Sequence, residues 1–300
     1  MDINFFFEVL IGGLLSGVMY ALVAIGFVLI YKASGVFNFA QGAMVFFAAL
    51  TCVGLMDKFG LPLWLAIPAT IVAMVILGFA IERVVLRPLV NQPEITLFMA
   101  TIGLAFFLEG LAQLIWDSQV HQLVLPIEDV PLQSVLDRFN IVVSQFDVTA
   151  AAVCGVLVLV LAVLFSKTKV GRALRAVADD HQAALAVGIP LQRIWAILWA
   201  VAGVVALVAG LLWGARNGVQ FALTFIALKA LPVLILGGFT SVPGAIVGGL
   251  IIGASEKLAE VYIGPMVGGG IEGWFPYVLA LLFLLVRPEG LFGEKLIRRI

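Results

Sequence analysis

Charge is what this chain has least of. Only 12% of its 300 residues are Asp, Glu, Lys or Arg, about half the roughly 25% of an average soluble domain. So few ionised groups cannot cover a water-exposed globule of this size, which excludes a soluble enzyme or binding module. The net charge of −1 is no footing for nucleic acid. Cysteine is nearly missing too. Cys52 and Cys154 both lie in apolar stretches, so they form no disulfide framework and read as small core residues. His121 and His181 fall in separate polar loops, so neither a metal cluster nor a histidine-based catalytic set follows. No G-x-x-x-x-G-K-[ST] loop is present to cradle ATP phosphates, and no cofactor is expected. The opening "MDINFFFEVL" lacks the cationic flank of a signal peptide, so the first apolar stretch is expected to stay in the mature chain.

What is there is grease, 63% hydrophobic residues with a mean hydropathy of +1.18. Crossing a hydrocarbon core of roughly 30 Å takes about 20 apolar residues in a helix. By that ruler the spans fall near 7–31, 37–56, 61–81, 96–116, 149–165, 194–213, 221–238, 243–262 and 274–287. The expected fold is therefore an all-α, polytopic membrane protein with about nine passes, eight being the alternative. Pro232 and the glycines at 237–238 blur the seventh, and broken or re-entrant helices are expected there.

Basic residues mark the cytoplasmic side of a membrane protein. With the N-terminus outside and the C-terminus inside, the inner loops collect Lys32, Arg83, Arg87, Lys167, Lys169, Arg172, Arg175, Arg193, Arg287, Lys295, Arg298 and Arg299 of the 17 Lys and Arg. The outer loops hold Lys58, Arg138 and Arg216. Two polar excursions remain in a single domain over 1–300. Loop 117–148 is external and acidic, and the alternation in "NIVVSQFDV" suggests a small cap. Loop 166–193 is cytoplasmic.

That inner loop, "SKTKVGRALRAVADDHQAALAVGIPLQRI", is rich in helix formers. Leu174, Val177, Ala178 and Leu185, with His181 beside them, share a face at helical spacing, and Gly188 before Ile189 and Pro190 is a stop signal. A short amphipathic helix ending at Gly188 follows. Its polar face mixes Arg172 and Arg175 with Asp179 and Asp180. Mixed signs suit a protein partner better than anionic lipid, although a helix resting on headgroups remains the other reading.

Three stretches carry a family resemblance. "GRALRAVADDHQAALAVGI" is similar to the coupling segment of ATP-binding-cassette (ABC) importer permeases, in which an Ala-Ala pair precedes a glycine. "GVFNFAQGA" after "YALVAIGFVLIY" resembles the N-terminal signature of branched-chain amino acid importer permeases, and "LPVLILGGFTSVPGAIVGGLIIG" their C-terminal one. One departure is Gln182, where many such permeases place Glu before the Ala pair. The resemblance implies a non-catalytic permease subunit in the cell inner membrane. It would work with a second permease, two cytosolic ATPases and an external solute-binding protein. Arg172, Arg175, Asp179, Asp180, Ala183, Ala184 and Gly188 would form the ATPase-coupling segment. Urea or short amides are close alternatives to branched-chain amino acids. An ion-coupled secondary transporter of small zwitterions is the rival class.

Polar interruptions supply the remaining candidates. "YKASGVFNFAQGA" sets Asn38 and Gln41 among small residues between two apolar runs, and "GGFTSVPGA" (237–245) has a similar outline. Irregular backbone at membrane depth persists only when buried in protein or lining a wet cavity. Asn38 and Gln41 are thus caps of a tight loop, linings of the translocation path, or contacts to the sister permease. Glu109 and Lys229 lie inside spans and must face protein or water. They are either structural, with Gln113 one turn from Glu109, or set beside the path to attract the ends of a zwitterion. Glu256, Lys257 and Glu260 are expected to reach the outer interface. The glycine pairs 13/17, 210/214, 244/248 and 249/253 have the spacing of close helix packing.

Overall fold

The computed structural model describes residues 3–89, 92–179 and 181–293. Every apolar stretch anticipated from the sequence carries a helix. These are α1 (Ile3–Ser34), α2 (Gln41–Phe59), α3 (Leu63–Ala80), α4 (Glu94–Trp116), a short α5 (Gln133–Phe139), α6 (Gln145–Lys167), α7 (Lys169–Asp179), α8 (His181–Ala186), α9 (Leu191–Asn217), α10 (Ile226–Gly237), α11 (Val242–Tyr262), one turn α12 (Gly264–Val267), and α13 (Phe275–Val286). A π-helical turn, Ile81–Leu86, extends α3. Seven helices among the described residues are long and apolar enough to cross a membrane. Helices α10 and α13 have 12 residues each, about 18 Å at 1.5 Å per residue, well short of a bilayer core. The chain is a multi-pass helical membrane protein.

By compactness the chain divides into two units, Met1–Ile25 with Leu125–Val156 and Leu228–Ile300, and Gly26–Val124 with Leu157–Ala227. In the second unit α9 is central, with α2 and α3 packed on it. Close approach is set by small residues. A Cβ at Gly78 would meet Ala200 N at 2.5 Å, and one at Gly210 would meet Val45 O at 2.6 Å. At one end of this unit Arg87 Nη2 donates to Gln192 Oε1 (3.0 Å) and Trp195 Nε1 to Ala33 O (3.2 Å). At the other, the imidazole of His121 lies 2.9 Å from Asp57 Oδ2 and 3.1 Å from Asp117 Oδ1. The backbone of His121 pairs there with Val219.

In the first unit α1 and α11 meet along glycines. A Cβ at Gly17 would fall 2.3 Å from Gly249 O, and one at Gly253 2.3 Å from Gly13 O. The helices run antiparallel with their backbones in contact, as the small-xxx-small pairs anticipate. Within the acidic loop, α5 is closed by hydrogen bonds from Leu132 N to Val143 O and from Gln145 N to Val130 O (2.9 Å each). The alternation expected to give strands yields only an isolated bridge, Pro131 to Ser144. Cys52 and Cys154 are free and buried.

Candidate functional site

Loop 166–193 folds as two short helices rather than one. Thr168 Oγ1 accepts a hydrogen bond from Gly171 N (3.1 Å) and starts α7. Leu174 and Val177 are buried, whereas Arg172 and Arg175 are exposed. The face predicted from the spacing is thus the face that packs. Asp179 closes α7, and the position of Asp180 lies outside the described residues, as do the side chains of Asp179 and Gln182. In α8 Ala183 is exposed and Ala184 buried. The stop is where the sequence places it. Gly188 has φ +83, a backbone that disfavours a Cβ, and Ile189 N returns to Ala184 O (3.0 Å). Leu185, 54% exposed, and Val187, 75% exposed, depart from the expectation. The amphipathic pattern sends Leu185 inward, but beyond the break these apolar side chains face out, close in sequence to the two arginines.

The interruption after α1 is a packed knot. Helix α1 ends at Ser34, Gly35 turns with φ +68, and α2 begins at Gln41. Asn38 Oδ1 accepts from Ala40 N (3.1 Å), and Asn38 Nδ2 donates to Gln41 Oε1 (3.3 Å). Thr101 of α4 braces the same segment, its Oγ1 accepting from Phe39 N (3.3 Å). Stacked and edge-on rings run from Phe27 through Phe37 and Phe39 to Phe98. Asn38 and Gln41 are both fully buried. Gln41 Nε2 has no hydrogen-bond partner among the described residues and presses on Gly26, where a Cβ would stand 2.2 Å from it. A cleft of about 410 Å³ opens beside the knot, lined by Tyr31, Gly35, Val36, Phe37, Glu94, Ile95 and Phe98. Neither amide lines it.

Of the two mid-span charges, one is answered within the chain. Lys229 Nζ lies 3.0 Å from Glu256 Oε1 and 3.4 Å from Tyr20 Oη, and Tyr20 Oη donates to Glu256 Oε1 (3.2 Å). Glu256 is 1% exposed. This corrects the expectation that Glu256 reaches the interface. Its neighbours are partly exposed, Lys257 pairing with Glu272 (3.1 Å) and Glu260 accepting from Gly270 N and Glu272 N (2.8 and 2.9 Å). Sequence reasoning missed the triad because its members are 209 and 27 residues apart in pairing. A signal was available. Tyr20 follows Gly13 and Gly17, and Glu256 follows Gly249 and Gly253, at the same i, i+4, i+7 spacing, so both continue a close-packed face. Glu109, by contrast, makes no hydrogen bond or ion pair among the described residues and is partly exposed. Outside the spans, the His121 cluster was also unforeseen. Hydrogen bonds from Gln119 N and from His121 hold the Asp117 carboxyl below its ordinary value.

Comparison with known proteins places this architecture. Residues 9–287 match a family described as branched-chain amino acid transport system, permease component. The high-affinity branched-chain amino acid transport system permease protein BraD of Pseudomonas aeruginosa is 30% identical over 312 residues, covering 100% of this chain and 99% of that protein. The corresponding permease protein LivH of Escherichia coli is 29% identical, covering 99% and 98%. A probable branched-chain amino acid transport permease protein LivH of Methanocaldococcus jannaschii is 29% identical, covering 95% and 92%. Among solved structures, PsaBC from Streptococcus pneumoniae in complex with Fab aligns at a TM-score of 0.47 and 15% identity over 93% of this chain and 90% of that one, a likeness too distant to argue from.

Proposed function

This chain belongs to the permease-component family of branched-chain amino acid transport systems, and from that premise we propose that it is one of two permease subunits of an ABC importer. It forms half of the translocation path for branched-chain amino acids, and partner chains bind and hydrolyse ATP. The observation that carries this reading is the family match along nearly the whole chain. A second permease, two cytosolic ATPases and an external solute-binding protein complete the assembly.

We place nine passes, the seven long helices together with two short ones, α10 lengthened by the 3-10 turn Phe221–Phe225 and α13, with the N-terminus outside and the C-terminus inside. Two features support it. Ala33, Arg87, Gln192 and Trp195, with Gly35 and Glu94 across one cleft, mark one end of their unit, and Asp57, Asp117, His121 and Val219 the other. That is the alternation the basic residues require. The first set lies on the cytoplasmic side, so α7 and α8 hang there and seat in the ATPases through Arg172, Arg175, Leu185 and Val187. Asp179, Asp180, Ala183, Ala184 and Gly188 belong to the same segment. A charged and apolar handle converts ATPase closure into movement of the spans. Asn38 and Gln41 hold the α1–α2 break closed and set its shape beside the path, and Lys229 fixes α10 against α1 and α11.

The test is coupled. Arg172→Glu with Arg175→Glu, and separately Val187→Asp, should leave the chain in the membrane while abolishing ATPase co-purification and solute uptake. Proline at Ala183 is a poorer probe, because α8 begins at His181 and its first turn tolerates proline. Uptake at wild-type rates in both variants would overturn the coupling role.

A further inference from the structure

Resting on the two-permease reading, we infer that the outer face of α4 around Glu109 is the seat of a transmembrane helix from the second permease subunit, one carrying a hydrogen-bond donor level with that carboxylate. Helix α4 has two apolar sides. One buries Leu97, Thr101, Leu104, Leu108, Ala112 and Trp116. The other shows Met99, Gly103, Phe106, Gly110 and Leu114, at steps of four, three, four and four, with Glu109 and Gln113 on its flank.

Lipid is the wrong neighbour for this second side. Glu109 sits seven residues before Trp116, about 10 Å inside the helix end at 1.5 Å per residue, and a Glu side chain is too short to snorkel as Lys does. An ionisable group at that depth costs several kcal/mol unless protein or water meets it. Glu109 lines none of the clefts around Tyr31 and Glu94, around Asn217 and Ile226, or around Leu77 and Gly103. Among the described residues this face is bare, since a Cβ added at Gly103 or at Gly110 would meet nothing within 4 Å. Open glycines seven residues apart are what an incoming helix needs for close approach. The face also runs into an apolar groove of about 480 Å³ between α3 and α4, whose walls include Leu77, Ile81, Val84, Gly103 and Phe107. The groove would receive a large apolar side chain of the same helix.

Charge chooses among the possible occupants. Two copies of this chain related by an axis along the membrane normal would set Glu109 against Glu109 at one depth, like charges in a poor dielectric. A different chain supplying a hydroxyl, amide or basic group satisfies the carboxylate instead. Glu109 is thus a specificity element that favours the heterodimer over self-association.

The test uses the co-expressed transporter in membranes, with Cys52 and Cys154 replaced by alanine, single cysteines at Gly103, Gly110 and Leu114 and a control at Leu159 on α6, each alkylated with a benzophenone maleimide that needs no thiol on its target. Irradiation should join the labelled α4 positions, and not labelled Leu159→Cys, to the second permease. Glu109→Leu should lower recovery of that subunit about fivefold to tenfold, the scale of one transmembrane hydrogen bond, and Glu109→Gln should restore most of it. Cross-links between two copies of this chain, equal cross-linking from Leu159→Cys, or none from α4 would each overturn the assignment. If ATPases still co-purify in those cases, only the α4 assignment fails. If no ATPase accompanies even the wild-type chain, the importer reading fails with it.

Discussion

Glycines stud two helix faces of this molecule and do different work on each. Along α1 and α11, Gly13, Gly17, Gly249 and Gly253 are already spent, each within 2.7 Å of backbone oxygen once a Cβ is imagined. Along α4, Gly103 and Gly110 face open space. The charges follow suit. Lys229, beside the first seam, is tied to Glu256 and Tyr20, whereas Glu109 on the second face has no partner among the described residues. The same residue types mark a finished contact in one region and an unfinished one in the other. Composition and spacing alone do not distinguish them. The distance to the next backbone does.

The strongest way to break this comparison is to enlarge one glycine on each face. Gly17→Leu should cost about 3 kcal/mol or more, since a backbone-to-backbone seam cannot yield as a packed side chain can. The subunit should fail to accumulate or should melt early in detergent. Gly110→Ala should leave the isolated subunit unchanged or raise its stability by up to about 1 kcal/mol through helix propensity, measured in the same melt. Equal losses would show that the two faces are alike.

Next in size are the charges. Removing one member of the buried pair, by Lys229→Met or Glu256→Met, should cost about 3 kcal/mol, the low end for a broken buried pair, because the Lys229 side chain is 31% exposed. The double variant should recover most of that loss. If the double is as unstable as the sum of the singles, the pair is not coupled. Glu109→Gln should leave the melt of the isolated subunit where it was.

Smaller effects sharpen the picture elsewhere. Thr101→Val removes the acceptor of Phe39 N and should cost about 1–2 kcal/mol, read as earlier proteolysis of the α1–α2 connection. At the His121 cluster the Asp117 carboxyl is held below its ordinary value, by Gln119 N first and His121 second. The unfolded chain therefore protonates Asp117 at higher pH than the folded one does. Its contribution is complete above the ordinary carboxylate range and fades as pH falls through the lowered value. Asp117→Asn should flatten the acid limb of the melting curve and little else. An unchanged limb would remove the carboxylate from the clasp.

Much of the fold is legible in the amino-acid sequence. Apolar length locates the seven long helices, because a bilayer rewards about 20 apolar residues wherever they occur, whereas the stretches at 221–238 and 274–287 give only shorter helices. The C-terminal end of the α7–α8 pair is equally readable, as Gly188 acts through its immediate neighbours, whereas the start at Thr168 emerges only from the structure. Glu256 is not. Its position six residues before Tyr262 favours the interface by local reasoning, yet its partners come from two other helices. Leu185 misleads for a related reason. Helical spacing extended across position 180 turns it inward, whereas α8 presents a different side from α7.

The sequence by itself determined that the chain lives in lipid, where its helices lie, and to which family it belongs, since all three follow from apolar runs and short motifs taken in order. Only the tertiary structure decided which polar groups are satisfied. It tied Lys229 to Glu256 and Tyr20, sealed Asn38 and Gln41 inside a knot, and left Glu109 facing outward. The reason is physical. Pairing at depth depends on distances of about 3 Å between residues far apart in the chain, and a pattern along one helix carries no record of what stands across from it.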